Sequence, residues 1–346
     1  MTRLIALICL CLMPLTAPAL AQEATATFGQ GDTPMLVRST TDIRILRPVL
    51  DRFAALNPDL AITYEQWGSN PLFDLSRAAC RGQGQPADAV LSSAVQHLVW
   101  LVNAACARRY RSPATAALPA ARRWRDELWG VTTEPAVIAY NTAAISGEDI
   151  PRDRFALLDA MRSRPEFYRG RIATYDISAS GLGYLFAFSD SLEATTFGSM
   201  LEGLARVDAV ATCCSTEIIS GVAEGRFVMA YNVLGSYIGA NPPPGLGMVL
   251  PEDYTLILSR GFMIPDNAPN GEAGIRLLEF LLGSEARGLL AAAGLLSSFD
   301  RAESGLAASS RRFISLSPAL LVALDTNRRT SLFDLWSTAF QNVAAP

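Results

Sequence analysis

The stretch from Trp129 to Asn141, near the middle of a 346-residue chain, constrains the fold more than any other. Val131, Val137 and Ile138 favour extended backbone, while Thr133-Glu134-Pro135 interrupts the run with residues suited to a bend. Three strand-then-helix units precede it and several more follow. A strand that leaves one α/β lobe and enters another is a hinge, and a cleft between lobes is a usual place for a small ligand. The pattern predicts two α/β lobes around this crossing. The other arrangement it permits is one large α/β domain with an ordinary internal strand. Length favours the first, because 346 residues exceed what a single hydrophobic core usually organises.

Before the crossing, strands are predicted at 35–38, 60–64 and 87–91, each followed by a helix (43–53, 72–80 and 95–107). The strand ends carry Ser39-Thr40-Thr41, Ser69-Asn70 and Ser92-Ser93. Hydroxyl residues at such turns cap helices. They also sit where free N–H groups and the helix dipole hold an anion, and in an open parallel sheet these ends share one edge. After the crossing, a strand at 170–175 leads into Asp176-Ile177-Ser178-Ala179-Ser180-Gly181-Leu182-Gly183. This small-residue loop lacks the third glycine of a dinucleotide fingerprint and suits a small anion better. A later strand at 227–230 delivers Tyr231-Asn232, with Tyr237 shortly beyond. Segments 248–251 and 254–260 return the chain to the first lobe. The remainder through Trp336 is expected on the outside.

Half of the residues are apolar and 18% are charged, which is enough to fold and too little charge for disorder. A formal net charge of −4 argues against a nucleic-acid binder. Met1 to Ala21 reads as a secretory leader: Arg3, an apolar run from Leu4 to Leu12, and Ala19-Leu20-Ala21 as a cleavage site. Export to the periplasm follows, and an oxidising compartment permits disulfides. Cys80 and Cys106 each end a predicted helix, and a structural bridge between them is expected. Cys213 and Cys214 are adjacent and are expected to stay as buried thiols. No G-x-S-x-G elbow, Walker loop or H-E-x-x-H occurs, and His97 is the sole histidine. No enzyme is expected, and His97 is assigned a structural role.

The leader, the strand-helix units, the crossing, Tyr231-Asn232 after a late strand and the return at Asp253-Tyr254-Thr255 together resemble bacterial extracellular solute-binding proteins of ABC transporters. The likeness is to the ferric-iron-type group, near the phosphoglycerate transport regulatory relatives. It implies an α/β, two-lobed, type II Venus-flytrap fold and a monomer with no cofactor. Lobe 1 would comprise 22–132 and 255–346, and lobe 2 would comprise 133–254, with hinge strands near 131–138 and 248–256. By position, the ligand shell would be Ser39, Thr40, Ser92, Ser93, Glu134, Ser180, Gly181, Tyr231 and Asn232, with Thr41, Ser69 and Tyr237 completing the candidate set. Iron-binding members carry adjacent tyrosines late in the second lobe, whereas here Tyr231 and Tyr237 are apart. An iron site would have to use Tyr231, Tyr237 and Glu134. The departure favours a small organic anion, phosphorylated or carboxylated, over ferric iron. The partner would be a membrane permease or, in the sensory branch, a membrane kinase.

Overall fold

A computed structural model describes residues 22–239, 242–297 and 306–340. The leader expected at 1–21 lies outside them.

Two mixed sheets organise the chain. The first opens with β1 (Gln22–Phe28), β2 (Thr33–Ser39), helix α1 (Ile43–Leu56), β3 (Leu60–Trp67), α2 (Ser69–Cys80), β4 (Ala89–Ser92) and α3 (Val95–Asn103). Helix α1 forms because Ile43, Leu46, Val49, Leu50 and Phe53 recur on one face, and all five are buried against the sheet. A short helix α4 (Pro113–Ala116) leads to the hairpin β5 (Arg123–Trp124) and β6 (Leu128–Gly130). β7 (Glu134–Asn141) already belongs to the second sheet. That sheet continues through α5 (Arg154–Ser163), α6 (Pro165–Tyr168), β8 (Ile172–Tyr175), α7 (Gly181–Glu193), α8 (Phe197–Arg206), β9 (Val210–Thr212), α9 (Ser215–Ala223), β10 (Met229–Leu234), β11 (Leu246–Val249) and β12 (Thr255–Leu258). β13 (Gly261–Met263) then rejoins the first sheet, followed by α10 (Gly271–Leu282) and α11 (Ser284–Ala292). β14 (Arg311–Phe313) and α12 (Thr326–Phe340) come last.

The strand orders are β1-β3-β2-β4-β13-β6-β5 and β14-β12-β7-β10-β8-β9, with β11 also on β7. The chain crosses a third time between β13 and β14; its first two passages between sheets lie at 131–133 and 259–260. Backbone and side-chain bonds tie these passages together: Val131 N–H donates to the Arg260 carbonyl (3.0 Å), and Arg260 N–H donates to Thr132 Oγ1 (2.8 Å).

Several expectations need correction. Strand β12 and the late strand β14 pair in the second sheet, not with the first lobe. Trp336 is buried rather than external: with Leu332 it closes an apolar cluster over Ile177, Tyr184, Phe188 and Leu201. The strand expected at 227–230 lies at 229–234, so Tyr231 and Asn232 are inside it. β1, β5, β9 and β14 had no expected counterpart. Cys80–Cys106 is a disulfide, as expected; Cys213 and Cys214 are also bonded to each other instead of standing as two thiols. Among the described residues, no helix is long and apolar enough to cross a membrane.

Candidate functional site

The C-terminal ends of β2, β3 and β4 bring Thr40, Trp67, Ser69 and Ser93 to one edge. Facing them across a cavity of about 410 Å³ are Tyr175, Ser180, Cys213, Cys214, Ser215, Thr216 and Tyr237. Helix α2 begins at this cavity from Gly68, and α9 begins there from Cys214; neither has a side-chain cap. Their first-turn N–H groups are left for solvent or a ligand, and the positive ends of two helix dipoles, one from each sheet's side, meet in one space. Among the described residues that line it there is no arginine and Glu23 is the one carboxylate, which accepts from Gln66 Nε2.

The hydroxyls are ordered before any ligand arrives. Thr40 Oγ1 lies 3.1 Å from Ser93 Oγ and accepts from Ser93 N–H (3.0 Å). Tyr175 Oη lies 2.6 Å from Ser215 Oγ. Thr216 Oγ1 donates across the cleft to Asp42 Oδ2 at 3.3 Å. On the far side, Gly181 N–H donates to Ser69 Oγ (2.8 Å), Gln96 Nε2 donates to the Gly181 carbonyl (2.7 Å), and Asn70 Nδ2 donates to the Ser178 carbonyl (2.9 Å). These bonds join the two halves in a closed arrangement. A Cβ on Gly181 would stand 2.6 Å from His97 Cε1, so only glycine permits this approach. His97 itself is stacked on Phe73, and burial, with a smaller contribution from the charge of Arg329, pushes its pKa down to about 4. It is neutral at pH 7.

Behind Tyr237 sits the joint. Arg260, fully buried, makes a two-pronged ion pair to Glu134 (2.8 and 3.0 Å) and donates to Thr41 Oγ1 at 3.1 Å. Its guanidinium lies 5.9 Å from the Tyr237 ring. Burial is the largest influence on Arg260 and opposes its charge, but Glu134 and Tyr237 together outweigh it and hold its pKa above the usual arginine range. Thr132 and Ser236 donate to the same carboxylate, at 2.6 and 2.5 Å.

Of the candidate residues, Thr40, Ser69, Ser93, Ser180 and Tyr237 line the cavity. Ser39 and Ser92 do not face it; their hydroxyls accept from Thr41 and Ala94 N–H and shape the turns. Thr41 and Glu134 are committed to Arg260, and Gly181 to the closed contact. Tyr231 and Asn232 lie elsewhere. Tyr231 Oη donates to Asp190 (2.6 Å) and accepts from Arg154 Nε (2.7 Å), while Asn232 Nδ2 donates to Asp190 at 2.8 Å. The side chain of Arg154 is 2% exposed, so this is a core ion cluster. Tyr231, Tyr237 and Glu134 therefore do not form a metal set, and among the described residues no group of three His, Cys, Asp or Glu could hold an ion. Sequence reasoning missed Gln66, Trp67 and Tyr175 as lining residues, and passed over Ser215 and the sulfur pair. The uncapped start of α9 at Cys214-Ser215-Thr216, the same strand-to-helix signal as in the first half, was the available clue.

The chain matches no family model and no curated protein. Among solved structures it is similar to the substrate-binding protein of an ABC transporter from Agrobacterium tumefaciens, with 31% identity over 94% of this chain and 100% of that one, at a TM-score of 0.85. It also resembles the periplasmic binding protein P5PA (15% identity, 89% and 100% covered, TM-score 0.67). A third is the apo ferric ion-binding protein A of Pasteurella haemolytica (20% identity, 90% and 100% covered, TM-score 0.67). The last two likenesses concern the fold alone.

Proposed function

This chain belongs to the substrate-binding proteins of ABC transporters, and on that premise we propose that its solute is a small organic anion bearing a phosphate or carboxylate group. One observation carries the reading: two helices from opposite sides of the cleft start there without side-chain caps. Serine, threonine and tyrosine hydroxyls surround them. Neutral donors and helix N-termini hold an anion without a counter-cation. Trp67, Leu182 and the Cys213–Cys214 pair supply apolar surface for the rest of the solute. The first lobe would comprise 22–130 and 261–297, the second 134–258 and 306–340, with Val131 to Thr133 and Ser259-Arg260 as hinge. The chain would work as a monomer in the periplasm, binding without chemistry and handing its solute to a permease. A kinase-coupled sensory role would use the same cleft. Ferric iron is disfavoured because Tyr231 is spent on Arg154 and Asp190 and Glu134 on Arg260.

The test is a melting-temperature screen of phosphoesters, carboxylates and ferric citrate. A bound solute at a hundredfold excess over its Kd stabilises by about 2.7 kcal/mol. A phosphoester or carboxylate should raise the melting temperature and compact the particle in small-angle scattering. A response to ferric citrate alone would contradict the reading.

A further inference from the structure

A second charged concavity lies on the β5–β6 hairpin and shares no residue with the cleft. The hairpin turns through Arg125 and Asp126, both with left-handed backbone (φ 58° and 55°), closed by Glu127 N–H donating to the Trp124 carbonyl at 3.1 Å. Asn-Gly is the usual filling of such a turn, since a side chain disfavours positive φ. Strain of this kind is retained where the surroundings hold it in place, and it clusters at functional sites. Here it places the Arg125 guanidinium 5.6 Å from the Trp124 ring centre and 3.3 Å from Glu127 Oε2. The other oxygen of Glu127 accepts from Arg109 Nε at 2.9 Å. Glu127 is 4% exposed, while the Arg109 side chain is 73% exposed. One buried carboxylate thus orients two guanidiniums at the surface.

Arg111 and Arg123 complete a groove of about 640 Å³, and neither has a carboxylate partner among the described residues. Four guanidiniums meet two carboxylates, on a chain whose formal net charge is −4. The chain contains no lysine, so every side-chain cation except a protonated histidine is a planar fork. Such forks match phosphate oxygens in pairs and stack on aromatic faces.

We propose that this groove is a second anion site, distinct from the solute cleft, that takes a phosphate group through paired guanidiniums. The group could come from a soluble phosphate compound or from the headgroup of an anionic phospholipid. The solute assignment does not depend on it.

Two arms test the proposal on the mature chain at low ionic strength: calorimetric titration with inorganic pyrophosphate, and co-sedimentation with phosphatidylglycerol vesicles against phosphatidylcholine vesicles. R111E/R123E should weaken binding at least tenfold in whichever arm responds, and Arg162→Glu, at an exposed position that lines neither cavity, should leave it unchanged. Added salt should weaken it too. An unaltered melting temperature shows that the double variant is folded, and R111A/R123A serves if it is not. A pyrophosphate response assigns a soluble source, and a vesicle response alone assigns the lipid. Silence in both arms, or equal binding by R111E/R123E, overturns the proposal.

Discussion

Tyr231 and Tyr237 sit on one continuous segment, yet they belong to opposite kinds of polar region. Around Tyr231 the chain supplies every counter-group itself: Arg154 meets Asp190 and Asp253, and the hydroxyls of Tyr231 and Tyr254 both donate to Asp190. Around Tyr237 the cavity is lined by hydroxyls and helix starts whose N–H groups no side chain caps. Tyrosine and carboxylate occur in both places. Residue type alone therefore does not mark a ligand shell; what marks it is whether the partner is already provided within the fold. The first region should govern stability and the second should govern binding.

The largest effect expected is on the core cluster. Arg154→Met removes the guanidinium and leaves Asp190 buried and uncompensated, at a cost of about 3–5 kcal/mol in denaturant unfolding. A loss below about 1 kcal/mol would break the comparison, because it would show the cluster to be as loosely held as a binding site.

The two disulfides divide in the same way. Cys80–Cys106 closes a loop with a sequence separation of 26, and C80A/C106A should cost roughly 3 kcal/mol through the unfolded chain's entropy. Cys213–Cys214 closes no such loop and lines the cleft. C213A/C214A should therefore leave the unfolding midpoint nearly unchanged while altering solute retention.

Acid should act through His97. Its folded pKa of about 4 lies below the ordinary 6.5, so between those values the unfolded chain binds more protons. Stability is then lost as pH falls through that window, by roughly 2 kcal/mol from pH 7 to pH 5. His97→Gln should flatten the melting temperature's pH profile across this range. An unchanged profile would move the acid sensitivity to another group.

The smallest stability effect belongs to the cleft. Thr216→Ala and Tyr237→Phe should each change unfolding free energy by no more than about 1 kcal/mol. Solute retention should nevertheless fall sharply. Comparable losses of stability here and at Arg154 would erase the distinction between the two regions.

Much of this arrangement was legible in the sequence. The alternation of apolar runs and amphipathic stretches located β2, β3, β4 and their helices, and the Thr133-Glu134-Pro135 interruption fell where the chain changes sheets. Ser69, Ser93 and Ser180 were recognisable because each sits at a strand-to-helix turn. The misplacement of Tyr231 and Asn232 has a physical reason. A strand's end cannot be read to the residue, and running β10 through to Leu234 moves both side chains from a loop into the core. The partners that hold them, Arg154 on α5 and Asp190 on α7, are distant in sequence. The same holds for Arg260 and Glu134, which meet only because the passages at 131–133 and 259–260 run side by side. Trp336 gave no usable pattern, since the short turns before α12 hide the apolar face it completes.

Native mass spectrometry of the gently purified mature protein tests the central claim most directly. The wild type should retain one small metal-free organic anion. A Thr40→Val/Thr216→Val double variant should lose that mass, and Tyr231→Phe should keep it. Bound iron, or a mass that survives in the double variant and disappears with Tyr231→Phe, would contradict the account.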